Sequence, residues 1–270
     1  MLKVNDFGKV TQIKMGHEVQ GKVLYWTAAY LVDGLLIDTG CSYTAEELAQ
    51  FLEGQYLKLA VNTHYHEDHV GADHLLMEKF GIRVLASRES VPFIKKRPRL
   101  LPYQELVWGY PMPAKVDCLA DRIETDHFSF DVVETPGHCR GHVAFLQPAE
   151  GWCFSGDLFV SRRPKVFRSE EDIAAIARSM KKLVDLRSDR LVLFTASGNV
   201  FQDGREALQS CIDYLHELWQ EARQLEKQGL STTATRDRLF GRESVLAGLT
   251  DGDMSSENMI RALLRAETLD

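Results

Sequence analysis

The sequence of 270 residues predicts a mixed α/β (α+β) fold, and three observations support this class. Short segments rich in β-branched and aromatic residues alternate with amphipathic segments over residues 9–195. Residues 205–270 follow a helical pattern instead. The hydrophobic fraction of 44% is large enough for a full core, so we expect a folded, globular chain.

The predicted elements begin with a hairpin, because Asp33-Gly34 is a strong tight-turn signal between two apolar arms. The second arm ends at Asp38, so a carboxylate is expected at the end of a buried strand. In chain order, the predicted strands are Val10–Met15, Val23–Tyr30, Ala29–Val32, Leu35–Ile37, Leu57–Thr63, Arg83–Ala86, Phe128–Glu134, Val143–Gln147, Cys153–Ser155 and Leu191–Thr195. The predicted helices are Thr44–Glu53, His69–Phe80, Glu170–Leu186, Arg205–Gln228, Arg236–Leu249 and Ser255–Ala266, the last with Ser255 or Ser256 as its N-cap.

The segment Glu89–Ala114 has no clear periodicity and contains five prolines and several aromatic residues. A long irregular segment of this kind forms either a lid or pocket wall, or a packed surface excursion, and both interpretations stay open. It includes the basic run Lys95–Arg99, which is either a solvated loop or an attractor for an anionic substrate.

Composition and charge exclude several functional classes. The net charge of −7 and the lack of an extended basic patch give no reason to expect nucleic-acid binding. No apolar run approaches the roughly 18 residues of a membrane span, and the N-terminus lacks a signal-peptide core. The five cysteines are scattered and never form a C-x-x-C pair, so the expected compartment is the reducing cytoplasm.

The strongest chemical signal is the segment Thr63–His69, which directly follows an apolar strand. Residues two apart in an extended chain point to the same side, so His64 and His66 can grip one ion together. Asp68 and His69 follow where the chain is expected to turn into a helix, within reach of a neighbouring position. Imidazole and carboxylate groups are preferred ligands of zinc and of non-haem iron, so this segment predicts a metal site.

Two further segments place ligand-type residues just past predicted strands. Thr135–His142 reads T-P-G-H-C-R-G-H and contains His138 and His142, and Ser155–Leu158 contains Asp157. Strand ends on one rim of a sheet are where folds of this kind collect functional groups, so these residues are expected to meet the histidine segment.

Together, these ordered motifs resemble the metallo-β-lactamase superfamily in its glyoxalase II-like branch. The resemblance covers residues 29–198 and includes Asp38 in L-I-D-T-G, the H-x-H-x-D-H segment, the T-P-G-H-x-x-G-H segment and the G-D segment. It implies an αββα sandwich, with two mixed sheets face to face, helices outside and a metal site at one edge. On this basis, residues 1–204 are expected to form the catalytic domain and residues 205–270 a C-terminal helical extension, which is either separate or part of the same domain.

The resemblance also implies roles for single residues. His64, His66 and His138 match ligands of a first metal, Asp68 and His69 match ligands of a second, and Asp157 matches a bridge between the two. Asp38 matches a buried carboxylate that orients the histidine segment, and His142 matches a residue that supports the ligands without binding the metal.

One position departs from the family pattern. The family usually has a histidine in a P-G-H-G turn where this chain has Thr195-Ala196-Ser197-Gly198, so Ser197 occupies the expected histidine position. A serine hydroxyl is a poor zinc ligand, and the second site is therefore expected to be weaker than the first. The expected cofactor is zinc, as two ions or as one with a weak second site, and iron or manganese is compatible with the same ligands.

The ligand set predicts a metal-dependent hydrolase that uses metal-activated water on a small-molecule thioester, ester, lactone or lactam, with Asp68 as a candidate proton acceptor. Two alternatives stay open. The weakened second site is also compatible with a mononuclear-iron persulfide dioxygenase. The presence of Ser197 in place of the expected histidine is compatible with a non-catalytic protein that binds a ligand on this fold. The expected partner is a small-molecule substrate, no membrane partner is expected, and a homodimer is possible.

Overall fold

The computed structural model describes residues 1–186 and 190–269, and its framework is two β-sheets packed face to face. The first sheet has seven strands in the order β1-β2-β5-β6-β7-β8-β9, and the second has six in the order β10-β11-β12-β13-β15-β16. In chain order, the strands are β1 Leu2–Asp6, β2 Thr11–Met15, β3 Glu18–Val19, β4 Lys22–Val23, β5 Thr27–Val32, β6 Leu35–Ile37, β7 Leu59–Val61, β8 Arg83–Ala86, β9 Asp117–Cys118, β10 Arg122–Glu124, β11 Ser129–Glu134, β12 Val143–Gln147, β13 Trp152–Phe154, β14 Phe167–Arg168, β15 Val192–Phe194, β16 Val200–Phe201 and β17 Met254–Ser255.

Helices cover the outer face of each sheet. Those outside the first sheet are α1 Ala45–Leu52, α2 Asp73–Phe80 and α3 Val91–Ile94, and the short α4 Pro102–Val107 lies in the proline-rich segment. Those associated with the second sheet are α5 Ile173–Val184, α6 Gly204–Lys227, α7 Thr232–Phe240, α8 Val245–Leu249 and α9 Ser256–Arg265. None of these described helices is long and apolar enough to cross a membrane.

Strand alternation divides the core into three layers. Along β5, Ala28, Tyr30 and Val32 face the second sheet, whereas Ala29 and Leu31 face the helices. The same two-residue period operates in β12, whose odd-numbered residues join the layer between the sheets while its even-numbered residues pack against α5, α6 and α9. The predicted αββα sandwich is therefore confirmed, with the C-terminal helices packed on the outer face of the second sheet.

Strand direction explains why the functional residues meet. Strands β6 and β7 are parallel neighbours, and β13 and β15 are parallel neighbours in the other sheet. Their carboxyl ends lead into Asp38, the histidine segment, Asp157 and Ser197, respectively. The amide of Val143 donates a 2.9 Å hydrogen bond to the carbonyl of Thr63, which joins the two sheets at this rim.

The hairpin prediction is confirmed: Asp33 and Gly34 both have positive φ, at 49° and 80°, as a type I′ turn requires. The predicted helix His69–Phe80 was wrong at its start, because α2 begins only at Asp73. The preceding residues instead run beneath another turn, where the amide of Thr39 donates to the His69 carbonyl and that of Gly71 to the Gly40 carbonyl, at 2.8 and 2.7 Å.

Other elements also differ from the predictions. The predicted helix Arg236–Leu249 is two helices, because α7 runs from Thr232 to Phe240, where Gly241 follows with φ of 81°, and Ser244 caps the separate helix α8. The predicted strand Val23–Tyr30 is interrupted, since only β4 and β5 are extended there. The sequence pattern also did not predict β1, which forms the outer edge of the first sheet. Ser255 is the N-cap of α9, where its side chain accepts a hydrogen bond from the Asn258 amide.

Candidate metal centre and active site

One buried carboxylate holds the histidine segment in place. Asp38 follows β6 in a left-handed conformation with φ of 60°, and only 3% of the residue is exposed. It accepts hydrogen bonds from the Thr63 amide at 2.8 Å, from the Thr63 hydroxyl at 2.9 Å and from Nδ1 of His69 at 2.9 Å. The start and the end of the segment are therefore tied to the same group.

The predicted ligands converge on Asp157, which lies in the turn after β13. Its Oδ2 atom is 3.4 Å from Nε2 of His69, 3.5 Å from Nε2 of His138 and 3.9 Å from Nε2 of His64. On the same side, Nδ1 of His66 is 3.0 Å from Nε2 of His138. Three separate segments of the chain therefore bring four imidazole rings around one carboxylate.

Unpartnered buried atoms in this cluster fit a metal. Within the described ranges, the buried atoms that lack a hydrogen-bond partner include Nε2 of His64, Nε2 of His69 and Oδ1 of Asp68. Leaving such groups unpaired is costly, so each points to a missing partner. Zinc ligands at 2.0–2.1 Å in tetrahedral geometry lie about 3.3 Å apart, close to the 3.0 Å between the nitrogens of His66 and His138. The donor set therefore fits one or two divalent ions.

In three of the histidine rings, the Nδ1 atom contacts a polar side chain, while the Nε2 atom faces the cluster. Nδ1 of His138 lies 2.7 Å from Oε1 of Glu171, Nδ1 of His69 is held by Asp38, and Nδ1 of His64 lies 3.0 Å from the Thr63 hydroxyl. Contacts of this kind fix the ring orientation and the tautomer that leaves Nε2 free for a metal. The sequence did not reveal Glu171, because an acidic residue before a helix has many ordinary roles.

The charges of the cluster favour a cation at its centre. Burial and the neighbouring histidines lower the pKa of His64 well below its usual value, so that ring is neutral, as a ligand must be. Burial also lowers the pKa of His69, but Asp68, Asp38 and Asp157 outweigh it and hold the pKa well above its usual value. Burial raises the pKa of Asp68. Three carboxylates thus stabilise positive charge at a point where a divalent ion can supply it.

His142 and Ser197 are not among the side chains that converge on Asp157 Oδ2, and the two make different contacts. Nε2 of His142 accepts a 3.2 Å hydrogen bond from the Asp157 amide, and its Nδ1 lies 2.9 Å from the Thr135 hydroxyl. The hydroxyl of Ser197 lies 3.0 Å from that of Thr195 and accepts from the Asn199 side chain at 3.1 Å. His142 thus fixes the turn that carries Asp157, whereas the contacts of Ser197 are made within its own turn.

Two cavities adjoin the cluster on either side. The first has a volume of about 360 Å³ and is lined by Asp68, His138 and Asp157 together with apolar residues of segment 158–167. The second, of about 600 Å³, is lined by His66, Glu67 and much of the segment 92–101. The proline-rich segment therefore forms a wall beside the cluster, and three cations of its basic run face this cavity: Lys96, Arg97 and Arg99.

Arg168 lines both cavities and was not found from the sequence. It lies in β14, which consists of two residues and pairs with β17 near the C-terminus. Its neighbour Trp108, from the proline-rich segment, lies with its ring centroid 5.7 Å from the guanidinium carbon. A lone arginine after a short apolar run carries no sequence signal for a site, because only the fold brings it to the cluster.

The chain belongs to the metallo-β-lactamase superfamily, whose family profile matches residues 27–196. Its relatives in this superfamily are hydrolases, and the chain is a metallohydrolase of this fold. The match covers the rim that carries Asp38, the histidine segment, His138 and Asp157.

Among named relatives, the chain is 30% identical over 184 residues to hydroxyacylglutathione hydrolase GloC of Haemophilus influenzae, which covers 63% of this chain and 82% of that protein. It is 28% identical over 142 residues to a hydroxyacylglutathione hydrolase of Rhizobium meliloti, covering 52% of this chain and 48% of the relative. The chain therefore spans about half the length of the second relative. The solved structure of a beta-lactamase domain protein from Burkholderia ambifaria matches with a TM-score of 0.72 over 97% of this chain and 88% of that one, at 17% identity, which supports the fold alone.

Proposed function

We propose that the protein hydrolyses a small-molecule thioester at this rim, with esters, lactones and lactams as substrates of the same chemistry. The observation that carries the proposal is the convergence of unpartnered buried ring nitrogens on Asp157 beside two cavities. The relatives named as hydroxyacylglutathione hydrolases support a thioester as the first choice, because their named substrate contains that bond.

We assign the first metal to His64, His66 and His138, the second to Asp68 and His69, and the bridging position to Asp157. When bound, the ions supply Lewis acidity and an acidified water molecule. Glu171 and Asp38 hold the rings of His138 and His69, respectively, so that their Nε2 atoms face the cluster. Zinc is the expected metal, because its preferred ligands are those present here.

The two metal positions are proposed to be unequal. The first is supported by three imidazoles, whereas the second has Asp68 and His69 with the shared carboxylate of Asp157. Ser197 adds no contact to the second position, since its hydroxyl is engaged with Thr195 and Asn199. A chain of this kind is expected to bind one ion tightly and a second ion more weakly.

Asp68 is the proposed catalytic carboxylate. Among the residues that the structure describes, none bonds to its buried Oδ1 atom, and its Oδ2 atom lies 3.4 Å from the Thr27 hydroxyl and 3.6 Å from Nε2 of His69. A carboxylate with a free oxygen at the cavity wall can orient a water molecule and accept a proton from it. This role does not require Asp68 to leave its position beside the second metal.

The test is steady-state hydrolysis of a panel of thioesters, esters, lactones and lactams by zinc-loaded protein, with and without a chelator. Wild type should turn over a thioester, the chelator should abolish turnover, and Asp68→Asn should lower kcat by about 100-fold or more. Asp126→Asn, which changes an exposed carboxylate paired with Lys58, is the matched control and should keep the wild-type rate.

Two outcomes of this test would replace the proposal. Iron in the purified protein together with oxygen uptake on a persulfide substrate would identify a dioxygenase. Tight binding of the panel compounds without any turnover, whichever metal is supplied, would identify a ligand-binding protein on this fold.

The partner is proposed to be a small molecule, because the cavities beside the cluster measure hundreds of cubic ångströms. All five cysteines are unpaired, and the cytoplasm stays the expected compartment. The oligomeric state and the division into two domains at residue 204 stay predictions.

A further inference from the structure

Arg168 is a buried cation that stands beside the Trp108 ring and for which the described part of the chain supplies no anionic partner. The residue is only 8% exposed, yet within residues 1–186 and 190–269 its guanidinium makes no hydrogen bond or ion pair. Arginine has five N–H donors, and each needs a hydrogen-bond partner when a ligand displaces water from it. Because the side chain lines both cavities beside the metal ligands, those donors face space that a ligand can fill.

The backbone of Arg168 is fixed to the same group that holds a metal ligand. Its amide donates a 2.7 Å hydrogen bond to Oε2 of Glu171, and Oε1 of that carboxylate lies 2.7 Å from Nδ1 of His138. Pairing of Arg168 with Met254 in the β14–β17 ribbon supports it from the other side. The backbone of Arg168 is therefore fixed relative to the metal cluster, and the Trp108 ring lies beside its guanidinium.

The nearest charges explain how Arg168 is tolerated in the folded chain. Burial lowers its pKa, but Glu67, Tyr103, Asp68 and Asp157 together outweigh burial and raise the pKa of Arg168 above its usual value, so the side chain is charged. None of these carboxylates pairs with it directly. Divalent ions at Asp68 and Asp157 would offset the negative charge of those two residues, which leaves the guanidinium available to a second anion.

We propose that Arg168 binds a carboxylate of the substrate close to the bond that is hydrolysed, so that the preferred substrates are thioesters or esters with an anionic acyl group. The planar guanidinium matches a carboxylate through two parallel hydrogen bonds. Arg168 shares one cavity with Asp68 and His138 and the other with His66. A substrate carboxylate bound to Arg168 would therefore lie close to the reacting carbonyl. This inference rests on the hydrolase function proposed above.

The first experiment compares two thioesters of N-acetylcysteamine that differ only in charge: the glutaryl thioester and its neutral amide, the glutaramoyl thioester. Wild type should prefer the glutaryl compound in kcat/KM by about tenfold or more, the usual range for a hydrogen-bonded charge. Arg168→Met should lose most of this preference. Arg168→Lys keeps the charge but cannot make two parallel hydrogen bonds, and it should retain part of the preference. The metal content and thermal midpoint of each variant are measured first.

The matched control is Arg163→Met, which removes an arginine from the wall of the first cavity where the side chain is exposed. It changes the net charge equally and should keep the preference within about twofold. Equal losses in Arg163→Met and Arg168→Met would show a general effect of positive charge and overturn the proposal. A wild type without any preference, or a preference that survives Arg168→Met, would overturn it as well.

A binding measurement separates this inference from the hydrolase proposal. Glutarate and glutaramate both carry one carboxylate for the metal, and only glutarate has a second one for Arg168. Calorimetry on zinc-loaded wild type should show glutarate bound about tenfold or more tightly, and Arg168→Met should bind the two alike. Preferential binding of glutarate without turnover of either thioester would refute the hydrolase function and retain the site at Arg168. Turnover without preferential binding of glutarate would support the hydrolase function and refute the carboxylate site at Arg168.

Discussion

Substituting Asp38 with asparagine tests whether one carboxylate organises the second metal position. Asparagine tolerates the left-handed backbone of this position, so Asp38→Asn changes the hydrogen bonding without adding strain. Its Oδ1 atom can still accept from the Thr63 amide, but its amide nitrogen then faces Nδ1 of His69. That ring must become the acceptor, which moves its proton to Nε2 and removes the lone pair that a metal needs.

The magnitude follows from the single interaction that is lost. A hydrogen bond to a charged group contributes about 1.5–3 kcal/mol. Changing a carboxylate that orients a metal-binding histidine typically lowers metal affinity by about 10–100-fold, which corresponds to about 1.4–2.7 kcal/mol. The two estimates agree, so we expect Asp38→Asn to weaken the second zinc by about 2 kcal/mol while the first zinc changes less.

The assay is a zinc titration in competition with a chromophoric chelator, which resolves the two affinities. Asp33→Asn is a close control, because Asp33 also has a positive φ and also accepts hydrogen bonds from a backbone amide and from Nδ1 of a histidine, both of His127. Asp33 lies in the turn before β6, at the end of that strand away from Asp38. Asp33→Asn should leave both affinities within about twofold. Two unchanged zinc affinities in a folded Asp38→Asn protein would refute the proposed role of Asp38.

Three further predictions concern stability. Burial raises the pKa of Asp73 from 3.8 to about 7, so its contribution to stability is full below about pH 4, declines as the pH rises and is gone above about pH 7. Between pH 5 and pH 8, the free energy of unfolding of the wild type in urea should therefore fall by at most about 3 kcal/mol on account of this group, and that of Asp73→Asn should fall by less. Equal losses in the two proteins would count against the buried, protonated carboxyl. Gly71→Ala should destabilise by about 3 kcal/mol, because the new Cβ would lie 2.2 Å from the backbone carbon of Cys41, whereas Gly54→Ala meets nothing within 4 Å and should not. Ser255→Ala should cost about 1 kcal/mol by removing the N-cap of α9, and an unchanged midpoint would show that the cap is dispensable.

The features predicted correctly from the sequence are those with a local physical cause. The turn at Asp33-Gly34 depends on the conformations of its own two residues, and the buried strands β5 and β12 follow from short apolar runs with β-branched and aromatic residues. The meeting of the histidine segment with His138 and Asp157 required one further step, that each follows a strand ending on a common rim. The tendency of functional groups to collect at strand ends on one rim of a sheet supplied that step, and the resemblance to a known family supplied the sandwich architecture.

The start of α2 shows where local patterns fail. Residues 69–72 continue the helical spacing of the segment that follows, so the pattern favours one helix from His69. The fold instead uses the carbonyl of His69 and the amide of Gly71 to bind the turn after β6, at 2.8 and 2.7 Å. Those hydrogen-bond partners lie about thirty residues earlier in the chain and are not visible in the local sequence.

Glu171 and Arg168 could not be found for a related reason. Each becomes part of the site only through contacts with distant segments, Glu171 with His138 and Arg168 with the ribbon at Met254. A carboxylate near a helix start and a cation in a short strand are common on any surface. Their burial beside the cluster distinguishes them, and burial is a property of the tertiary structure.

We propose that this rim binds divalent metal through His64, His66, His138, Asp68, His69 and Asp157. The most direct measurement is the zinc stoichiometry and affinity of metal-free protein by calorimetry, compared with the His138→Ala variant. We expect one tightly bound and one weakly bound zinc in wild type, with the tight ion lost or strongly weakened in His138→Ala. Wild-type protein that is folded yet binds neither zinc, iron nor manganese would show that this rim is not a metal site.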